Sequence, residues 1–575
     1  MNFPRLRWPR GREDAPECLD RSAGGSSVAW WFLAPIMFIA VAMPWLIAAP
    51  FHGDDYVFLD RVTRPTFHFA DIWNRETTTF GWYRPWSREL HFWALSRVFG
   101  LNEAAFHVAN GVLWTLMLGL YALFVRRLAG SMIAWFAMIG ALAAAIWLVP
   151  LFWASGSQDL WMLTFLMAAL LAWTCGRSVL TALLLTPALL SKENAIVAPV
   201  LLAGYSFIIE RRAPWKVVRA LVPTLFVLSI WFVVHPTIIA HILQRYAPDP
   251  AVVAARQSWP HLTTLSLLVP FNAEHVSADM LARWFRFDAH AIGGLGLLTV
   301  AAWCWHHLVR SQRSAAGESR AGAIAQIVFG CLWWLCGCVP VFVGSVAWHS
   351  YYAALGVLGA WIGMAGVARW RPSLAFSVLV LAICARGPRL STPDWDWGAF
   401  PAQERAGQFV RELRVALLHE LPNVPSYSRL FFTNVPRGIG FVTADGPLVR
   451  ILYRDTTLRA GFWGQYRPRH PQEIQGTDYF ISFVPPRRWH VVRPDGAPPA
   501  TNEAVKVWET DHRELALLLG RAGDWVGAAS ELETLLRFRP YSAEYRRNYD
   551  YCLRRLEDAN REEHEGASGW HWNSK

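Results

Sequence analysis

The stretch Val28–Phe51, VAWWFLAPIMFIAVAMPWLIAAPF, carries no charge and is followed at once by His52-Gly53-Asp54-Asp55. As a helix it is long enough to cross the hydrocarbon core of a bilayer. It is too long for a signal-peptide core and lacks a clean small-residue cleavage site. Arg5, Arg7, Arg10, Arg12 and Arg21 precede it, so residues 1–27 are expected to be a cytoplasmic tail and Asp54-Asp55 to emerge on the far face. Carboxylates are expensive inside a bilayer and cheap at its surface. An acidic pair at a membrane exit is therefore a candidate for chemistry on that side.

The rest of the chain supports a polytopic helical membrane protein. Of 575 residues 54% are hydrophobic and only 17% charged, against roughly 25% charge in soluble domains. The excess is gathered into uncharged runs over the first two-thirds, flanked by many of the 33 tryptophans, as interfacial belts require. The net charge of +11 comes from arginines clustered at alternate ends of apolar runs, not from one basic stripe, so nucleic acid is not expected as a partner. Cys336-Gly-Cys338 has no nearby second ligand pair for zinc, and most cysteines lie in or beside apolar runs, where packing is their role.

Arginine placement threads about eleven spans. Span one runs out to Asp54; span two, Ala104–Val125, returns to Arg126-Arg127. Span three leaves through Ser131–Pro150, and span four starts at Asp159 and returns to Arg177. Val179–Leu190 and Ala195–Ile209 are two short spans around Lys192, ending at Arg211-Arg212. Span seven is Leu221–Ala240; span eight, Ala291–Val309, returns to Arg310 and Arg313. The uncharged block Ala321–Ala368 breaks at Trp348-His349 into two spans, and Ser373–Cys384 is the last. The transmembrane domain is thus 28–386, with a long extracytoplasmic loop at 52–103. In that loop Ser87–Phe99 is predicted to be an amphipathic helix at the interface. The proline-rich loop 241–289 suits a partly re-entrant segment.

Beyond a linker at Gly387-Pro388 and Ser391-Thr392-Pro393, residues 387–511 are predicted to form a small extracytoplasmic α/β domain. Leu430–Asn434 and Tyr479–Val484 have strand composition, and Gln403–His419 and Ile439–Arg454 have helical patterns. In the segment 512–575, Gly523-Asp524-Trp525 with Ala528-Ala529, Leu532, Leu535-Leu536 and Pro540 matches the second half of a tetratricopeptide unit. That is fewer than the three repeats a free solenoid needs, so these helices are expected to dock on the α/β domain or on a protein partner.

Several residues could carry chemistry. Asp54 or Asp55, placed after the free turn that Gly53 permits, can act as general base toward a hydroxyl or hold a divalent cation; a solvated loop pair is the alternative. No cofactor is fixed by these residues, and a divalent cation stays open. Arg84 in Tyr83-Arg84-Pro85 is suited to grip phosphate bidentately, or to snorkel at the interface. Lys192, in Ser191-Lys192-Glu193-Asn194, could meet the phosphate of a lipid donor while Glu193 orients it, or the two could form an internal ion pair. Asp159 opens a helix, where carboxylates are welcome. His107 and Asn110 share a helix face inside span two, where polar residues also join helices. Trp348-His349-Ser350-Tyr351-Tyr352 offers an imidazole and hydroxyls at the membrane face, and His349 and Tyr351 are counted with the donor-phosphate group.

With these motifs in this order, the chain resembles the polytopic GT-C glycosyltransferases that use polyprenyl-phosphate sugars. It is most similar to the protein O-mannosyltransferase branch that carries C-terminal tetratricopeptide repeats. The resemblance covers roughly residues 50 to 205: Asp54-Asp55, Tyr83-Arg84-Pro85, His107-Val108-Ala109-Asn110, Ser155-Gly156-Ser157-Gln158-Asp159 and Ser191-Lys192-Glu193. It implies inverting hexosyl or pentosyl transfer on the extracytoplasmic face of the inner or plasma membrane, with the first-loop acid as base. The chain departs from the family in two places. The family often has arginine before the tyrosine of its later Arg-Tyr segment, where this chain has His349-Ser350-Tyr351, and its tail usually holds several repeats.

The expected partners are a polyprenyl-phosphate-linked sugar, a hydroxyl acceptor on protein, polysaccharide or lipid, and membrane lipids. A lipid or sugar transporter would place ionisable groups near the midplane and repeat itself internally, and neither pattern is present. A non-catalytic assembly protein with a partner-binding tail would tolerate loss of Asp54 and Asp55.

Overall fold

A computed structural model describes residues 30–76, 82–236, 265–273, 320–343, 349–389, 400–435, 446–470, 472–484, 488–493 and 502–568. The tail 1–27, the eighth span with Arg310 and Arg313, and most of the loop 241–289 lie outside the described residues. The chain divides into two units: Met1–Phe51 with Pro65–Arg405, and His52–Arg64 with Ala406–Lys575.

The first unit is helical. Among the described residues, Glu103–Ala129, Pro214–Val234, Arg320–Cys338 and Ser350–Trp370 are long and apolar enough to cross a membrane. Ser131–Ala143 with Ala145–Phe152 makes a fifth if the bent pair is one span, and Trp30–Leu46, Ser178–Leu189, Glu193–Ile209 and Pro372–Arg386 are shorter apolar helices. These helices are those of an integral membrane protein.

Three expected spans differ in detail. The first stops at Leu46, with Pro35 and Pro44 inside it, so the apolar run to Phe51 is not one helix. The seventh starts at Pro214, because proline at the first helical position is pre-set for helix; the chain then takes Lys216 and Arg219 into its first turns. The third does not run straight to Pro150 but bends by 59° at Ala144, whose backbone is extended.

A break inside an apolar span frees backbone groups that lipid cannot satisfy. Buried Asn272 takes them up, in a left-handed turn at φ 57°. Its Oδ1 accepts the Ala145 N–H at 2.8 Å, and its Nδ2 donates to Ala143 O at 3.0 Å and Ala382 O at 2.8 Å. Arg386 donates to Leu142 O and Ala143 O at 3.1 and 3.2 Å. The helices Arg320–Val343 and Ala354–Trp370 touch through glycine: a Cβ on Gly330 would sit 2.2 Å from Gly363 N, and one on Gly337 2.4 Å from Gly356 N. Small residues of this kind let helix backbones meet where no hydrophobic effect drives them together.

The second unit holds a four-stranded sheet, ordered β2-β1-β3-β4. β1 (Arg429–Thr433) runs parallel to β2 (Arg459–Phe462) and β3 (Asp478–Val484), and β4 (Arg488–Val492) is antiparallel to β3. Helix Pro447–Tyr453 lies between β1 and β2 in the chain, inside the longer Ile439–Arg454 expected; residues 436–445 lie outside the described set.

The helices Asn502–Ala522 and Trp525–Phe538 cover one sheet face, where Phe431, Phe480 and Val492 share a core with Trp508, Leu515 and Leu535. The boundary expected at 511–512 falls inside the first of these helices. Asp511 faces Ser482 of β3 at 3.1 Å, while its neighbour His512 pairs with Glu531 of the next helix.

Helix Asp54–Val62 also belongs to the second unit. It starts at Gly53, whose φ of 58° suits glycine, and it packs against Pro447–Tyr453.

Candidate functional site

Within the helical unit, three stretches far apart in sequence meet at breaks between helices. A π-helical turn, Pro85–Leu90, follows Arg84, and such turns recur at functional sites. Its backbone is tied to the break after Ser178–Leu189: Trp86 N donates to Leu190 O, and the Ser87 hydroxyl to Ser191 O at 2.7 Å. Ser157, at the start of helix Ser157–Thr174, donates through its hydroxyl to Ser87 O at 3.1 Å. That start is tight, since a Cβ on Gly156 would lie 2.3 Å from Pro150 Cα. The loops around 84–87, 155–159 and 191–193 are thereby fixed to one another.

Their charged side chains pair. Arg84 Nε lies 2.9 and 3.0 Å from the two Glu193 oxygens, its Nη2 2.6 Å from Oε2, and its Nη1 donates to Gln158 Oε1 at 2.7 Å. Lys192 Nζ donates to both Asp159 oxygens at 2.7 and 2.8 Å. The ammonium also lies 5.4 Å from the Tyr351 ring centre and 5.2 Å from that of Tyr352, and cation–π attraction is strong in such a desolvated place. The guanidinium of Arg84 lies 5.3 Å from the Trp82 ring centre. Burial lowers the Arg84 pKa, but the Glu193 carboxylate outweighs that and holds it above its ordinary value.

His349 is buried at the entry to the turn Ser350–Ala353 and stacks on Tyr351. Arg84, Asp159, Lys192, Glu193, His349 and Tyr351 are thus brought into one neighbourhood.

His107 and Asn110 face a different set of partners. The His107 ring lies between Leu151 O at 3.2 Å and Ala49 O at 3.1 Å. Asn110 Nδ2 lies 3.0 to 3.2 Å from the carbonyls of Pro150, Trp153 and Ala154. Asn110 thus serves carbonyl groups at the end of the bent third span, and His107 bridges one of them to the chain just after the first helix.

Asp54 and Asp55 lie in the other unit, and their environments differ. Asp55 is fully buried and accepts the His52 N–H at 3.1 Å, whereas Asp54 is half-buried. Among the described residues no three His, Cys, Asp or Glu side chains come together to hold a metal ion.

Sequence reasoning passed over three members. Gln158 sits inside a quoted motif without a role. Tyr352 shares the ammonium with Tyr351. His235, buried at the end of Pro214–Val234, brings Nε2 to 3.8 Å from Glu193 Oε1; its signal was a lone imidazole closing an apolar run just before Pro236. His91 opens the helix that follows the π-helical turn. Its Nδ1 accepts from Trp161 Nε1 at 3.1 Å, and burial pushes its pKa down to about 3, so the ring is neutral.

No family model and no curated protein matches this chain. Two solved structures of ArnT from Cupriavidus metallidurans are similar to it. The one bound to undecaprenyl phosphate is 15% identical, with a TM-score of 0.39, and the apo form is 14% identical, with a TM-score of 0.35. Each likeness spans 76% of this chain and 86% of the other. At these values the likeness assigns no residue and no substrate to this chain.

Proposed function

We propose that the protein is a membrane glycosyltransferase that moves a hexosyl or pentosyl group from a polyprenyl-phosphate donor to a hydroxyl acceptor on the extracytoplasmic face. The observation that carries this reading is the meeting of Arg84, Gln158-Asp159 and Lys192-Glu193 at the ends of apolar helices. The cluster sets two cations against two carboxylates, so it is neutral at rest and tolerable where it is buried. A guanidinium has five N–H donors and an ammonium three. Glu193, Gln158 and Asp159 orient both cations, leaving donor capacity for an anion.

In the reaction the bond from sugar C1 to phosphate oxygen breaks, and its electron pair leaves on the phosphate. The acceptor oxygen bonds to C1 from the opposite face, inverting the centre through an oxocarbenium-like state. The leaving phosphate gains a negative charge, which Arg84 and Lys192 stabilise; Tyr351 and His349 line their surroundings. The acceptor proton goes to the acidic pair. Asp55 is fully buried and holds the turn through the His52 N–H, while Asp54 is the more exposed of the two and so the one an acceptor hydroxyl can reach; Asp54 is assigned as base on that ground.

The test uses membranes of expressing cells and a radiolabelled polyprenyl-phosphate hexose. Asp54→Asn is expected to cut transfer by roughly 10² or more, and Asp55→Asn by less, since an amide oxygen still accepts the His52 N–H. Full activity of the double asparagine variant at normal expression would remove the base assignment. A chelator that reproduces the asparagine phenotype would show that the pair holds a divalent cation instead.

A further inference from the structure

Helix Asp54–Val62 is fastened at its far end as well as at its turn. Asp60 is buried, with 5% of its surface exposed. Arg450, on helix Pro447–Tyr453, meets it bidentately: Nε to Oδ1 at 2.8 Å and Nη2 to Oδ2 at 2.9 Å. The two residues stand 390 positions apart. Arg64, one turn on in the chain, reaches Asp60 Oδ2 at 2.7 Å but is half-exposed, as its partner is not. Between turn and clamp, Tyr56, Phe58, Leu59 and Val62 are buried. The helix therefore has its start set by Gly53 and Asp55 and its end set by a planar, two-pronged grip.

Bidentate arginine–carboxylate pairing fixes orientation as well as distance. A lysine in the same place supplies the charge without the fork. Nothing in the sequence marks Arg450, which is one arginine among many in a helical pattern. The pairing is intramolecular to the second unit, so the acidic pair rides on the same body as the C-terminal sheet.

We propose that Arg450 is a positioning residue for transfer: through Asp60 it holds the helix that carries the catalytic acid. This rests on the assignment of Asp54 made above. A general base must be held within hydrogen-bond reach of the proton it takes, and small misplacements cost rate more than they cost binding.

The experiment compares Arg450→Gln, Arg450→Lys and Asp60→Asn in the full-length protein, using the same radiolabelled polyprenyl-phosphate hexose, with hydrogen exchange measured in parallel. Arg450→Gln and Asp60→Asn are expected to lower kcat about tenfold or more while donor KM stays within about twofold. Exchange over 54–62 should rise while β1 and the helix Asn502–Ala522 stay protected. Arg450→Lys should recover part of the rate.

Unchanged exchange over 54–62 in Arg450→Gln overturns the clamp whatever the base is. Raised exchange with an unchanged rate overturns the positioning role. If Asp54→Asn is itself fully active, the base assignment fails and this proposal with it, and that outcome is told apart because exchange over 54–62 still responds to Arg450. A loss of protection across β1 together with 54–62 would mean that Arg450 only maintains the fold, and that also overturns the proposal.

Discussion

The two units bury charge in different ways. In the helical unit the pairs Arg84–Glu193 and Lys192–Asp159 sit at chain breaks, with aromatic faces against both cations. In the C-terminal unit the pairs sit on regular elements and join them: buried His512 to Glu531 between two helices, and Asp511 to Ser482 and to the partly exposed His490 between helix and sheet. Ser482, Asp511 and His490 are the residue types of a hydrolytic triad, but the carboxylate lies between the other two. No base reaches the hydroxyl from the imidazole, so the arrangement fastens the helix to the sheet. The contrast teaches that residue type does not separate a staple from a site. On the proposed function, what separates them is whether the charges close a contact between regular elements or gather where helices stop.

That distinction can be broken by removing whole pairs. Lys192→Met alone strands the buried Asp159 carboxylate and is expected to cost about 3–5 kcal/mol, read as a lowered melting temperature in detergent. Lys192→Met/Asp159→Leu removes both charges and should regain most of that stability. Transfer should be lost in both the single and the double variant. A stable double variant with normal transfer would make the pair a staple and remove Lys192 from the proposed site.

The C-terminal counterpart should behave oppositely. His512→Leu leaves Glu531, 2% exposed, without its imidazole and is expected to cost about 3 kcal/mol. His512→Leu/Glu531→Leu should recover both the melting temperature and transfer. A folded but inactive double variant would show that the C-terminal pair contributes to the chemistry, and the contrast between the units would fail.

How far the sequence carries depends on whether a signal is local. Helix Glu103–Ala129 is legible because its apolar run is bounded by Asn102, which caps it through Ala104 N, and by Arg126-Arg127. β1 and β3 are legible from Leu430-Phe431-Phe432 and Tyr479-Phe480-Ile481. β2 and β4 are not: Arg459-Ala460-Gly461-Phe462 is four residues with a glycine inside, and β4 opens on Arg488-Trp489-His490. The bend at Ala144 escapes because its partner, Asn272, lies 127 positions from Ala145. At the site, the sequence singles out Arg84, Asp159, Lys192 and Glu193 one by one. It does not say that Arg84 pairs with Glu193 across 109 positions and Lys192 with Asp159 rather than with its neighbour. Such pairings are set by which helix ends meet, and no local pattern encodes them.

Acid sharpens the comparison next, because His91 belongs to the helical unit and is buried uncharged. Its folded pKa is about 3, below the ordinary value near 6.5, so the unfolded chain binds the proton first as pH falls. Stability from this residue is complete above about pH 6.5 and declines below it, by about 2 kcal/mol at pH 5. His91→Gln should flatten the acid limb of a stability–pH curve between pH 5 and 7, at the cost of the bond from Trp161. An unchanged limb would mean that other groups carry the acid sensitivity.

The smallest effect is expected at a staple that uses neutral partners. Asp524 caps helix Trp525–Phe538 by accepting the Gly527 N–H at 2.9 Å, and its other oxygen accepts the Tyr466 hydroxyl at 2.6 Å. Burial, and then the Asp524 carboxylate, hold the Tyr466 pKa above its ordinary value, so the phenol stays the donor across the working pH range. Asp524→Ala removes a cap and one acceptor, a loss of about 1–2 kcal/mol. Asp524→Asn keeps an amide oxygen for one of the two bonds and should lose about half as much. Because the bond joins a loop of the sheet to a tail helix, exchange should rise at the start of Trp525–Phe538 and nowhere in the helical unit. Transfer per folded molecule should be unchanged, as expected of a staple. A fall in transfer larger than the loss of folded protein would place the tail helices in the reaction, and the boundary between staple and site would have to move.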